Sequence, residues 1–137
     1  MATATFVPRT SVLTVNSVDL SDQVVSATMR YEVDALPADT IADSAHKFAQ
    51  GLENNSCSIT FLASYATSEP WATLNALVGA TTTITIKPST GAASATNPVH
   101  TLTGTFCPGF DVYSGSAGEL MQIVFETQGG TYTSVTS

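Results

Sequence analysis

Few side chains in this sequence carry reactive groups, and none of them falls at a spacing that assembles a reactive centre. Cys57 and Cys107 stand fifty positions apart. There is no CxxC pair and no HExxH, so zinc ligation is not indicated. The two cysteines read as small apolar residues within strands, and a disulfide between them requires those strands to be neighbours. His46 lies in an acidic stretch and His100 at the start of a strand, each read as a surface or hydrogen-bonded residue. Serine is too common here for any Ser-His-Asp grouping to stand out. Gly115-Ser116-Ala117-Gly118 lacks the following helix that a phosphate cradle needs. It reads as the connection between a strand near 110–113 and one starting at Leu120. Asp19 and Asp22 (DLSD) lack the calcium-loop pattern and read as a turn with an Asx-type bond. Asn54-Asn55-Ser56 is a sequon, but MATATFVPRT shows no basic segment followed by an apolar one, so no secretory leader is expected. The expectation is a non-enzyme with no cofactor and no metal.

The elements that surround these residues are mostly strands. In 25–33 the odd positions Val25, Ala27, Met29, Tyr31 and Val33 are apolar and the even ones polar, which describes one long strand with a buried face. The same period recurs in Cys57-Ile59-Phe61, in Thr82-Ile84-Ile86, in Leu102 and Phe106 among threonines, and in Met121-Ile123-Phe125. A short strand over 12–15 precedes Asn16-Ser17, a hairpin turn. Trp71, Leu74, Leu77 and Val78 line one stripe of a helix over about 69–78, with Ser68 as N-cap, Pro70 in the first turn and Gly79 closing it. A helix this short is not stable alone, so Trp71 must pack onto a sheet. Two long connections are expected. One is 34–56, acidic and only weakly helical in Ile41, Ala45 and Phe48; the other is 88–98, between Pro88 and Pro98, which reads as a mobile loop. The tails, near 1–10 and 128–137, read as flexible arms. The fold class expected is mainly β, an antiparallel sandwich or barrel in a single domain spanning 1–137.

Composition narrows the function. The 137 residues carry 11 acids against 4 lysines and arginines, a net charge of −7. That excludes a basic module that grips nucleic acid by neutralising phosphates. No apolar run is long enough for a membrane-spanning helix, so no membrane anchor is expected. The acids concentrate in 19–53, where Asp19, Asp22, Glu32, Asp34, Asp39, Asp43 and Glu53 face only Arg30 and Lys47.

Taken in order, several segments carry a likeness. They are Asn16-Ser17-Val18-Asp19-Leu20-Ser21-Asp22 (with Ser17 where glycine is usual), Tyr31-Glu32-Val33-Asp34-Ala35-Leu36, Cys57-Ser58-Ile59-Thr60-Phe61-Leu62 leading to Trp71-Ala72-Thr73-Leu74, and Gly115-Ser116-Ala117-Gly118-Glu119-Leu120 before Ile123-Val124-Phe125. Over most of 10–130 the chain resembles the major tail protein, the tail-tube subunit of long-tailed, siphovirus-type bacteriophages. The resemblance implies a virion structural protein, made and assembled in the host cytoplasm, that forms hexameric rings stacked into a hollow tube for DNA. It implies as partners further copies of the chain and the tape-measure, tail-terminator and distal tail proteins. Double-stranded DNA would pass without specific binding. The 34–56 segment would reach the neighbouring ring through Asp34, Leu36, Asp39, Ile41, Asp43, Phe48, Leu52 and Glu53. Asp19, Asp22, Glu32 and Glu126 would line the bore as acids that repel phosphate. The alternatives are a head-decoration or head–tail completion protein and an adhesin-like β-sandwich binding module.

Overall fold

Paired strands make up about half of the described chain. A computed structural model of the chain describes residues 10–136. Its strands are β1 (Val12–Val15), β2 (Val18–Asp19), β3 (Val24–Arg30), β4 (Val33–Pro37), β5 (Phe48–Glu53), β6 (Ser56–Leu62), β7 (Thr81–Lys87), β8 (Val99–Phe110), β9 (Gln122–Gln128) and β10 (Thr131–Val135). Eight of them form one antiparallel sheet in the order β2-β1-β7-β8-β9-β6-β3, with β10 on β8. β4 and β5 form a separate two-stranded hairpin. The outermost strands of the main sheet, β2 and β3, are joined only by a 3-10 turn at Ser21–Gln23. Five residues reach about 17 Å at most, so the sheet must curl until its two edges approach. They do not pair, and the result is a curled sandwich and not a closed barrel.

One strand turns the corner between the layers. The 12-residue β8 pairs along one side with β9 and then β10, and along the other with β7. Its partner chain bends at Gly129 and Gly130, both in the left-handed region at φ 76° and 92°. A Cβ on Gly130 would sit 2.8 Å from the Thr103 carbonyl oxygen and 2.9 Å from the Thr105 nitrogen. Both are backbone atoms that cannot yield, so this corner requires glycine.

The period-two residues supply the core. Cys57, Ile59 and Phe61 of β6 and Ile123 and Phe125 of β9 are buried with Leu13, Val15, Leu20, Ile84, Leu102 and Cys107. Helix α1 (Pro70–Asn75) closes one side through the buried Leu74, with Trp71 packed at its margin against Tyr65. The helix is shorter than the expected 69–78. Glu69, and not Ser68, occupies the N-cap, and the chain after Asn75 tightens to bury Leu77 while leaving Val78 exposed.

Three further expectations are corrected. The single strand expected over 25–33 breaks at Tyr31–Glu32, and Val25 and Tyr31 are exposed. The cause is Asn55, whose buried amide oxygen accepts the Glu32 N–H at 3.0 Å and turns the chain out of the sheet. The carboxyl-terminal arm expected over 128–137 is in large part strand β10, with Thr131 opposite Thr103 and Thr133 opposite Thr101. The arm expected at 1–10 lies outside the described residues apart from Thr10. The connection over 88–98, expected as a loop without internal order, is organised around one side chain. Asn97 donates its amide to the carbonyls of Gly91 and Ala92 and accepts the Ser89 N–H, which ties the loop into a knot of backbone bonds.

Candidate functional site

Among the described residues no cluster of three or more His, Cys, Asp or Glu gathers that could hold a metal ion, and the two histidines have separate partners. His100 Nδ1 lies 2.8 Å from the Tyr132 hydroxyl, and His46 Nδ1 lies 2.8 Å from Asp39 Oδ2 far from it. Both cysteines are free and buried. β9 runs between their strands, which places them two strand spacings apart, about 10 Å, beyond disulfide reach. Burial pushes the Cys57 thiol up to about 12 and raises that of Cys107 as well. The distinctive surfaces are therefore those that could meet other molecules, and two of them carry residues singled out by the sequence.

The first is the β4–β5 hairpin. The expected long loop over 34–56 is here a projecting two-stranded arm with a structured tip, and each of its two strands packs chiefly on the other. Strands were not read in this segment because neither face of the arm is covered, so there is no contrast between buried and exposed positions to reveal period two. The register places Pro37 opposite Phe48 and Ala35 opposite Gln50. Alternation then sets Ala35, Pro37, Phe48 and Gln50 on one face and Leu36 and Ala49 on the other, up to a bulge between Gln50 and Glu53 that interrupts the period. Gly51 is tightly flanked by Asp34 and Leu36. Leu36, Ile41, Phe48 and Leu52 are all exposed, Ile41 fully so at the tip.

The acids of the hairpin are mostly engaged with it. Asp39 accepts from the His46 imidazole and from the Lys47 N–H, and these two bonds, the imidazole first, hold its carboxyl below the usual range. Asp43 pairs with Lys47 and accepts the Thr40 N–H at 2.7 Å, which lowers its carboxyl too. Asp39 and Asp43 thus build the turn that presents Ile41. Glu53 acts at the root, where it accepts from the Asn55 amide at 3.1 Å and from the Tyr132 N–H at 3.2 Å. Asn55 also donates to the Gly130 carbonyl at 3.0 Å. Sequence reading saw Asn55 only as part of a sequon; its burial next to a strand start is the feature that marks it as structural.

The second surface is the outward face of β3, β6 and β9. Thr28 lies opposite Ser58, and Ser58 opposite Glu126; Ser26 pairs with Thr60, and Arg30 with Ser56 and on to Gln128. The wall is mostly hydroxyl and amide, with Arg30 and Glu126 its only charges. Glu32 adjoins its end, where it accepts from Arg30 Nε at 2.9 Å. Glu32 is thereby tied, through Arg30, to the end of the face that carries Glu126. Asp19 and Asp22 sit apart in the β2–β3 turn, where Asp19 accepts the Ser21 hydroxyl and its N–H, the hydroxyl first in lowering its carboxyl. Beside this wall, the edge of β3 is unpaired among the described residues.

No protein-family description and no curated protein sequence matches the chain. Its fold matches solved structures over almost its whole length. One is a chain of the extracellular contractile injection system PVC sheath–tube complex, with TM-score 0.72, 10% identity and coverage of 97% of this chain and 93% of that one. Another is the tube-terminating cap of the anti-feeding prophage, with TM-score 0.72, 9% identity and coverage of 100% and 95%. The SPP1 tail tube matches with TM-score 0.68 at 8% identity, covering 93% of this chain and 76% of that one. At such identities the likeness is one of fold: the chain has the fold of tail-tube proteins.

Proposed function

We propose that this chain, built on the tail-tube fold, is the subunit of a bacteriophage tail tube, closing in sixes into rings that stack around a bore for double-stranded DNA. The observation that carries the reading is the projecting hairpin. It leaves four large apolar side chains in water, and Ile41 and Leu52 are the two most exposed large apolar residues among those described. Exposed apolar surface of this kind is the mark of a contact not yet made. The proposed contact residues are Leu36, Ile41, Phe48 and Leu52, with Asp34, Asp39, Asp43 and Glu53 shaping and flanking the arm. Ring closure would use the free β3 edge, whose unpaired N–H and C=O groups are a template for a neighbouring strand.

The β3–β6–β9 wall is the proposed lining of the bore, with Glu126 within it, Glu32 at its end and Asp19 and Asp22 in the turn that leads into β3. Its resistance to DNA adhesion would come less from an excess of acid than from a scarcity of cations. Arg30, already matched by Glu32, gives phosphates almost no counterions to release. The sleeve would be assembled in the host cytoplasm and end in the virion tail, against terminator, tape-measure and distal tail proteins.

A ring-only completion protein is the second reading, favoured by the equal likeness to a tube-terminating cap. Negative-stain microscopy of concentrated protein separates the two. Tubes of indefinite length support the subunit reading, isolated rings support the second, and a strictly monomeric protein at all salt and protein concentrations overturns both. Replacing 38–47 by an Asn-Gly turn is expected to leave a folded body that no longer grows tubes.

A further inference from the structure

The hairpin needs a surface to land on, and the body displays one at its opposite end. β6 runs from Ser56, beside the hairpin root, to Leu62, and β9 returns from Gln122 opposite Leu62 to Gln128 opposite Ser56. Seven strand residues separate the ends by about 20 Å. At the Leu62 end the connection over 111–121 folds back on itself through a bond from the Gln122 N–H to the Ser114 carbonyl. Tyr65 braces it by donating its hydroxyl to the Val112 carbonyl at 3.1 Å. This braced loop nevertheless exposes its apolar side chains: Tyr113 is 74% and Leu120 78% accessible, with Val112 beside them. A concavity of about 530 Å³ opens between Leu62 and Leu120.

We infer that the hairpin of one copy seats Ile41, Phe48 and Leu52 against the Val112–Tyr113 and Leu120 patch of the next copy along the tube. The inference rests on the tube reading and supplies the receiving half of its stacking contact. A second copy is the fitting occupant because one displacement along the strand direction covers both apolar patches. The two patches differ and lie at opposite ends, so the contact is head-to-tail, and such contacts propagate and do not close in pairs. Charge adds a signature. Asp34 and Asp39 lie on the hairpin, Glu119 lines the concavity and Asp111 adjoins Val112 in the chain, while Lys47, the cation of the hairpin, is already paired with Asp43. Acids on the two sides repel, so this contact strengthens as salt rises. Between about 0.1 M and about 1 M the screening length shrinks from about 10 Å to about 3 Å.

Cysteine cross-linking tests the pairing cleanly, because both native thiols are buried. Ile41→Cys and Leu120→Cys are made as separate proteins, mixed and mildly oxidised, with Ile41→Cys plus Val25→Cys as the control pair. The expected result is a disulfide-linked 41–120 dimer that is absent from either variant alone and from the control, with a yield that increases with salt. Tubes that form without a 41–120 product overturn the landing site and leave the tube reading standing. Absence of any assembly overturns both. Leu120→Asp gives a second readout on a side chain too exposed to matter for folding: rings are expected to persist and stacking to be lost. Normal tubes from this variant count against the inference.

Discussion

Strands β5 and β6 follow each other in the chain, are of similar length, and each carries phenylalanine and a branched aliphatic residue. In β6, Ile59 and Phe61 are buried to 1% and 0% accessibility; in β5, Phe48 and Leu52 remain 64% and 83% accessible. The residues between them, Asn54 and Asn55, mark the change from the hairpin to the body. Alternation in β6 is satisfied within one chain, because β9 and β3 flank it and the second layer covers it. The same chemistry in β5 has only β4 beside it. Apolar patterning thus marks surface that some neighbour covers, and the neighbour can be another molecule.

The widest gap between the two strands is expected from alanine substitution. Phe61→Ala removes a fully buried ring and is expected to cost about 3–5 kcal/mol in urea denaturation of the monomer. A loss below 1 kcal/mol would mean the body tolerates what only the hairpin should tolerate. Asn55→Ala cuts the joint between the regions. Left without their partner, the Glu32 N–H and the Gly130 carbonyl are expected to cost about 1–3 kcal/mol. Faster amide exchange at Glu32 should accompany the loss, and unchanged exchange there would dissociate the hairpin from its root. Phe48→Ala is expected to change monomer stability by no more than about 0.5 kcal/mol, while sedimentation shows loss of higher assemblies.

The smallest effect is one of acidity. Asp39 and Asp43 titrate below their unfolded value of 3.8 because the hydrogen bonds of the tip favour their ionised forms. A depressed carboxyl stabilises the folded tip fully above the unfolded value, and that contribution is lost as pH falls through the folded one. Amide shifts of Thr40 and Lys47 should therefore move at pH below about 4 while those of β6 and β9 stay fixed. Movement of both sets together would make the tip part of the body's cooperative unit.

What was legible in the sequence follows the same division. Val12–Val15, Cys57-Ile59-Phe61 and Ile123-Phe125 were readable because one face of each is buried by this chain alone. The left-handed pair Asn16 and Ser17, at φ 52° and 66°, was readable as a turn from residue type. The hairpin strands were hidden, since Phe48 and Leu52 look the same in a loop as on an uncovered arm. Strand β10 was hidden because its threonines resemble a polar tail until Thr101 and Thr103 are seen opposite them. Asn97 gave no local sign that its amide gathers three segments of backbone. For the wall that carries Glu126, periodicity tells which side turns away from the core but not what lies beyond it.

The open edge of β3 has a mechanical consequence. In a tube assembled as proposed, neighbours within a ring are joined by rows of backbone hydrogen bonds, short and directional, running around the circumference. Neighbours along the axis are joined by slender arms whose apolar side chains can slide and re-seat within a contact. Such a sleeve resists dilation and bends with ease, so a long filament could flex in solution while its internal diameter stays constant.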